Sequence, residues 1–197
     1  MIAILDYGSG NLRSAERAFQ IAAEKVVVTQ DPKVCRDARA LVVPGVGAFA
    51  ACMDQLLSVG GAEIIAERVA ASRPIFGICV GMQIFFDSSS EKIQKTGLGI
   101  LSGNISEITA PILPHMGWNT LETNPDSILF NGIESESFYF VHSYAAKKAV
   151  GKTQAWSTHG EKFLAAVEDG YISATQFHPE KSGLAGLALI KNWVGSL

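Results

Sequence analysis

A chain of 197 residues carrying 16 basic and 19 acidic side chains, with a net charge of -3 and 48% hydrophobic residues, has the length of one domain over 1–197. Such a chain can bury a core without disulfide or metal staples. The near-balanced charge, with no run of like sign, argues against nucleic acid or an anionic membrane as partner. Cys35, Cys52 and Cys79 are an odd set whose spacing fits neither a disulfide framework nor a metal site, so a reducing, cytoplasmic compartment is expected.

In chain order, Met1 to Asp6 has no basic lead-in and too short an apolar run for a signal peptide, and reads as a first strand at Ile2 to Leu5. Asn11 is placed to cap a helix running to Ile21, Val26 to Thr29 reads as a strand, and Asp31-Pro32 reads as a cap followed by proline at the first helical position. Leu41 to Val43 is a buried-strand pattern. The uncharged stretch from Ala40 to Met53 is broken by Pro44, Gly45 and Gly47 and falls well short of the ~20 apolar residues of a membrane span. A helix near Glu63 to Ala71 carries Ile64, Ile65 and Val69 on one side and ends before Pro74. Ile75 to Ile78 is a fourth strand, Met82 to Phe86 is helix-prone, and Ser88 to Gly97 reads as a polar loop.

This alternation predicts an α/β fold, an open and mostly parallel sheet with helices on both faces. Beyond it, strands are expected at Ile105 to Ile108, Trp118 to Glu122, Ser137 to Tyr144, Thr153 to Ser157, Lys162 to Val167 and Ile172 to Phe177. Their close spacing predicts antiparallel additions to the sheet. A last helix from Leu184 to Val194 presents Leu187, Ile190 and Val194 for docking.

The chemistry concentrates at Gly77-Ile78-Cys79-Val80-Gly81, a strand-turn-helix sequence with a thiol at the apex. Small residues on both sides allow the sharp turn of a nucleophile elbow, and a helix N-terminus behind it favours thiolate over thiol. A thiol nucleophile needs a base and an orienting group. In Gln176-Phe177-His178-Pro179-Glu180 residues two apart in extended backbone share a face, so Glu180 can hold the His178 ring while His178 moves the proton. Pro44-Gly45-Val46-Gly47-Ala48 follows a buried strand, so a backbone N–H of Val46 or Gly47, with that of Val80, can form an oxyanion hole. The same glycines satisfy a dinucleotide-binding fingerprint as Gly45-x-Gly47-x-x-Ala50, but the next strand ends in Cys79 where that fingerprint expects an acid. His159, in what reads as a turn, is assigned no role.

With these residues in place, the chain resembles the class I, triad-type glutamine amidotransferases, whose pattern is a Gly-x-Cys-x-Gly elbow and a late His-x-Glu. Within them it is most similar to the glutaminase subunits that serve histidine biosynthesis. The resemblance runs nearly end to end, through Asp6 to Asn11, Pro44 to Gly47, Gly77 to Gln83, Gly97 to Gly99, Pro114 to Asn119, Phe138 to Tyr144 and Gln176 to Ser182. It implies a flavodoxin-like amidotransferase fold and hydrolysis of glutamine through a Cys79 thioester, with no cofactor and no metal. By the same resemblance Gly45, Gly47, Gln83, His142, Ser143 and Tyr144 line the glutamine pocket. Ammonia then passes to a barrel-fold cyclase subunit in a heterodimer, with Asn11, Trp118, Tyr139 and Lys181 at the contact. Departures from the pattern are Val80, Ala145 and Ala174, none at a reacting atom. Service to another synthase, and a catalytically silent binding module of the same fold, remain open alternatives at this point.

Overall fold

The computed structural model describes residues 1–23, 25–91 and 94–197. The first half supplies strands β1 (Ile2–Leu5), β2 (Val26–Thr29), β3 (Ala40–Gly45) and β4 (Ile75–Cys79), separated by helices α1 (Leu12–Ala22), α2 (Pro32–Asp37), α3 (Phe49–Ser58) and α4 (Gly61–Ala70). A one-turn helix α5 (Val80–Gln83) follows β4 and leads into β5 (Phe86–Ser89), β6 (Lys95–Thr96) and β7 (Leu101–Glu107). Then come β8 (His115–Thr120), β9 (Glu122–Thr123), β10 (Ser137–His142), β11 (Tyr144–Ala146), β12 (Thr153–His159), β13 (Glu161–Asp169) and β14 (Ile172–Thr175). A 3-10 turn at Pro179–Lys181 and helix α6 (Gly183–Gly195) close the chain.

Eight strands form the central sheet in the order β2-β1-β3-β4-β14-β13-β12-β9. Pairing is parallel from β2 to β14 and antiparallel beyond. Burial on both faces explains the unbroken apolar runs of β1 and β3. On β4, Phe76 packs against Phe19 of α1 and Trp193 of α6, with ring centroids 6.2 and 4.9 Å away. The next residue, Gly77, faces the other way, where an added Cβ would meet the Phe85 ring at 2.7 Å. Pro44 is tolerated in a central strand because β1 pairs with β3 only as far as Val42, so its missing N–H leaves no ladder bond unmade.

The predicted caps are present: Asn11 Oδ1 accepts from Ser14 N, and Asp31 accepts from the amides of Lys33 and Val34. Three expectations need correction. Met82 to Phe86 is not one helix, because α5 ends after Gln83 and the chain turns into β5. Backbone bonds from Leu98 N to Ile84 O and from Leu101 N to Phe85 O draw that segment into a second sheet instead. The polar loop is partly strand, since Ser88 and Ser89 pair with Thr96 and Lys95, while Lys92 and Ile93 lie outside the described residues. Finally, only β13, β12 and β9 extend the main sheet, whereas β10-β8 and β11-β7-β5-β6 form sheets of their own. Among the described residues no single helix is long and apolar enough to cross a membrane.

Candidate active site

Cys79 ends β4 with φ 56° and ψ -113°, one of two non-glycine residues with positive φ among those described. Side chains rarely hold such a backbone, and here the flanking residues impose it. An added Cβ on Gly81 would stand 1.9 Å from Val43 O, and on Gly77 it would meet Gly81 O at 2.9 Å. No side chain fits at either position, so the chain turns in minimal space and leaves the thiol at the sheet's carboxyl end. Register sets Gly45 of β3 beside Cys79, while β14, the neighbour on the other side, feeds directly into Gln176 and His178. Because α5 has only four residues, its dipole contributes far less to the thiol than a full helix would.

His178 and Glu180 meet as expected. The His178 Nδ1–H donates to Glu180 Oε1 at 2.8 Å, and both side chains are almost fully buried. The His178 backbone N–H donates to Tyr139 O at 3.0 Å, and Ser182 Oγ–H to His178 O at 2.6 Å, so the loop is tied down on both sides. Nε2 is buried and has no hydrogen bond of normal geometry among the described residues, yet it is near enough to the Cys79 sulfur to feel it. Burial alone would lower the His178 pKa, but the interactions with Cys79 and with the Glu180 carboxylate outweigh it and raise the value to about 10. An imidazolium beside the sulfur is therefore the favoured state near neutral pH. Gln176 Nε2 adds a donor 3.8 Å from the same sulfur.

Cys79 is 3% exposed, and what it borders is a cavity of about 700 Å³ that it lines with Val46, Gly47, Val80, Gln83, His142, Ser143, Tyr144 and His178. Asn11 and Lys181 reach the same cavity, with Gly10 and Pro114. Gly45 does not line it. An added Cβ there would meet Gly81 N at 2.5 Å and Tyr7 Oη at 2.9 Å, so this glycine is required for close packing under the loop. Trp118, 58% exposed, stands edge-on to Tyr139 at 6.0 Å, and Gly183 approaches its ring. Gln83 is committed to protein groups, its Nε2 donating to Tyr144 O at 2.8 Å and to Gln176 Oε1 at 2.9 Å.

The oxyanion loop is only half in place. Val80 N–H opens α5 and is one of the amides a helix leaves without an internal partner. Val46 N–H instead donates to Ser9 Oγ at 3.0 Å, and Val46 O accepts from Ser9 Oγ at 3.0 Å and from Cys52 Sγ at 3.1 Å. Ser9 thus occupies the Val46 N–H, while Ser9 and Cys52 fix the Val46 carbonyl, so the Gly47 N–H on the same trans peptide points the opposite way. Sequence reading missed this pair, together with Gln176 as a partner of the sulfur and Glu91. Glu91 lines the cavity and accepts from Phe49 N at 2.8 Å, capping α3. Ser9 lies in the stretch Asp6 to Asn11 without a signal of its own, and Glu91 lies in the polar run Ser88 to Gly97 with no pattern around it. The placement of Gln176 two residues before His178 was the one available signal.

His159 also departs from expectation. It closes β12 and stacks on His115 with ring centroids 4.3 Å apart. Burial first, and then neighbouring histidine charge, lower His115 to about 4 and His142 to about 3.

An elbow cysteine, a buried imidazole held by a carboxylate, and a cavity open to the sulfur define a thiol-dependent amide-processing enzyme on an α/β sheet. The model of the family "Glutamine amidotransferase class-I" matches residues 3–195, and the chain belongs to that family. It is 54% identical, over all of its length and 98% of the relative's, to the imidazole glycerol phosphate synthase subunit HisH of Mycolicibacterium paratuberculosis. To the protein of the same name from Corynebacterium glutamicum it is 52% identical, over 98% of this chain and 97% of that one. Among solved structures, one described as a glutamine amidotransferase superposes with a TM-score of 0.78 at 17% identity, covering 100% of this chain and 99% of the other. That likeness supports the fold alone.

Proposed function

We propose that this chain, as one amidotransferase domain over 1–197, is the glutaminase subunit of imidazole glycerol phosphate synthase, working in histidine biosynthesis in the cytoplasm. The reading rests on one observation: Cys79, His178 and Glu180 meet at a cavity of about 700 Å³ in a chain whose full-length relatives carry that subunit's name. It favours service to this synthase over service to another amidotransferase, and an assembled triad is not what a silent binding module needs.

The Cys79 sulfur, as thiolate, attacks the side-chain carbonyl carbon of glutamine, and the oxygen's developing charge falls to Val80 N–H and to the Val46–Gly47 loop. Imidazolium His178 gives its Nε2 proton to the departing nitrogen, so ammonia leaves and a glutamyl thioester remains. Neutral His178 then takes a proton from water, hydroxide attacks the thioester, and the thiolate departs to give glutamate. Glu180 holds the ring throughout by accepting from Nδ1. Glu91 is the carboxylate suited to the substrate's α-ammonium, and the strand ends at His142 to Tyr144 supply backbone partners.

The partner is the cyclase subunit, a barrel docked as a heterodimer over Asn11, Trp118, Tyr139 and Lys181. Trp118 and Tyr139 are its aromatic anchors. With Val46 N–H engaged by Ser9, the chain alone is a slow glutaminase, since one absent oxyanion donor costs about 100- to 1000-fold. The test is Cys79→Ala mixed with the cyclase subunit. Glutamate release is lost, while assembly and ammonia-dependent synthesis are kept; near-normal glutamate release would exclude the mechanism.

A further inference from the structure

Beneath the glutamine pocket lie the side chains of Asn119, His115 and His142, to which the mechanism above gives no role. Asn119 Oδ1 accepts from Thr120 N at 2.9 Å, which fixes the orientation of its amide. Its Nδ2 therefore points to Thr158 O at 3.0 Å and to His115 Nε2 at 3.3 Å. At the far end His142 Nδ1 meets Tyr144 O at 3.1 Å. A carbonyl only accepts, so this nitrogen carries the proton and His142 Nε2 is the acceptor. His115 Nδ1, 3.1 Å from that Nε2, must then be the donor, and its own Nε2 accepts from Asn119. Backbone groups at both ends thus determine every proton between them.

The result is one directed chain, from Asn119 through His115 and His142 to the Tyr144 carbonyl. That carbonyl also receives Gln83 Nε2, whose second bond runs to Gln176, whose amide approaches the Cys79 sulfur. His115 is 4% exposed and is sandwiched between Phe140 and His159, with centroids 4.8 and 4.3 Å away. The two near-parallel neighbours hold the plane of the ring. A second proton on either imidazole would place donor against donor, and the swapped neutral tautomer of His142 would set lone pair against the Tyr144 carbonyl.

We propose that His115 is a positioning residue for glutamine hydrolysis. Its Nδ1–H holds His142, and through His142 the Tyr144 carbonyl and the Gln83 amide, so that the pocket wall is set from β8, the strand that also carries exposed Met116 and Trp118. The proposal rests on the glutaminase reading above and adds a residue that does not line the cavity.

The experiment compares His115→Phe and His115→Asn in the complex with the cyclase subunit. Phe keeps the ring stack and removes both polar atoms, while Asn keeps a donor near the Nδ1 position. With Phe, kcat/KM for glutamine falls about five- to a hundredfold, the range for leaving one buried acceptor unpaired, mainly through KM, while ammonia-dependent synthesis is unchanged. Asn recovers to within about threefold of the parent, since the donor is restored. Nitrogen NMR of the parent chain shows His115 and His142 protonated at Nδ1 and bare at Nε2. Equal activity or equal impairment of the two variants overturns the proposal, as does an Nε2-protonated His115. Should the parent release no glutamate even with partner, the glutaminase reading fails, and the tautomers still decide whether the chain exists as drawn.

Discussion

Replacing Ser9 with alanine is expected to make the free chain a better glutaminase. In the structure Ser9 Oγ accepts from Val46 N and donates to Val46 O, both at 3.0 Å, with Cys52 Sγ on the same carbonyl. Without the hydroxyl, Val46 N–H loses a part-buried acceptor beside an exposed side chain, a bond worth about 0.5–1.5 kcal/mol to the present orientation. The cavity-facing orientation gains by that amount relative to it, roughly two- to twelvefold in population. Turnover limited by the absent oxyanion donor rises by the same factor, short of the roughly 100- to 1000-fold that a complete donor set is worth. The assay is glutamate release by the isolated chain at saturating glutamine, and again with the cyclase subunit. On the proposed reading, docking of the cyclase subunit turns the loop to its productive orientation, so the gain should appear without partner and shrink with it. Unchanged or reduced partner-free turnover in a folded variant would refute the reasoning.

Two other outcomes are expected. Glu91→Gln should raise KM for glutamine about tenfold with kcat nearly unchanged, because the carboxylate binds substrate and transition state alike; a loss confined to kcat would assign it elsewhere. Acid should destabilise the fold before the carboxylates titrate. His115 and His142 have folded pKa values near 4 and 3, below the ~6.5 of the unfolded chain, so the unfolded state binds more protons between these limits. Their contribution is complete above pH 6.5 and is lost as pH falls, at about 1.4 kcal/mol per pH unit for each. His178, raised to about 10, has the opposite sign: its contribution is full below 6.5 and fades as pH rises toward 10. Denaturant unfolding from pH 6.5 to 5 measures the acid limb, and a flat profile would contradict it.

What could be read from the sequence was what short-range rules determine. The elbow is legible because only glycine fits at 77 and 81 beside a strand ending in cysteine. His178 and Glu180 are legible because two-residue spacing in extended backbone puts them on one face. The strands of the parallel half follow from burial on both sides. What was hidden depends on contacts across the fold. Phe85 and Phe86 have helical neighbours, yet carbonyls at 84 to 86 are claimed by amides at 98 to 101, and a strand results from Phe86 on. Ser9 and Cys52 become a clasp only where β3 turns above them, and no spacing along the chain announces that. Register sets His142 beside His115 on β10 and β8, while His159 arrives from β12 in another sheet, so their apposition is a product of pairing and packing across the fold.

The central claim is that Cys79, alone among three buried free thiols, is the nucleophile. Treating the complex with the cyclase subunit with a glutamine-analogue electrophile and mapping the adduct by mass spectrometry tests it directly. One adduct is expected, on Cys79, with loss of glutamate release in proportion to labelling. An adduct on Cys35 or Cys52, or full inactivation with Cys79 unmodified, would contradict it.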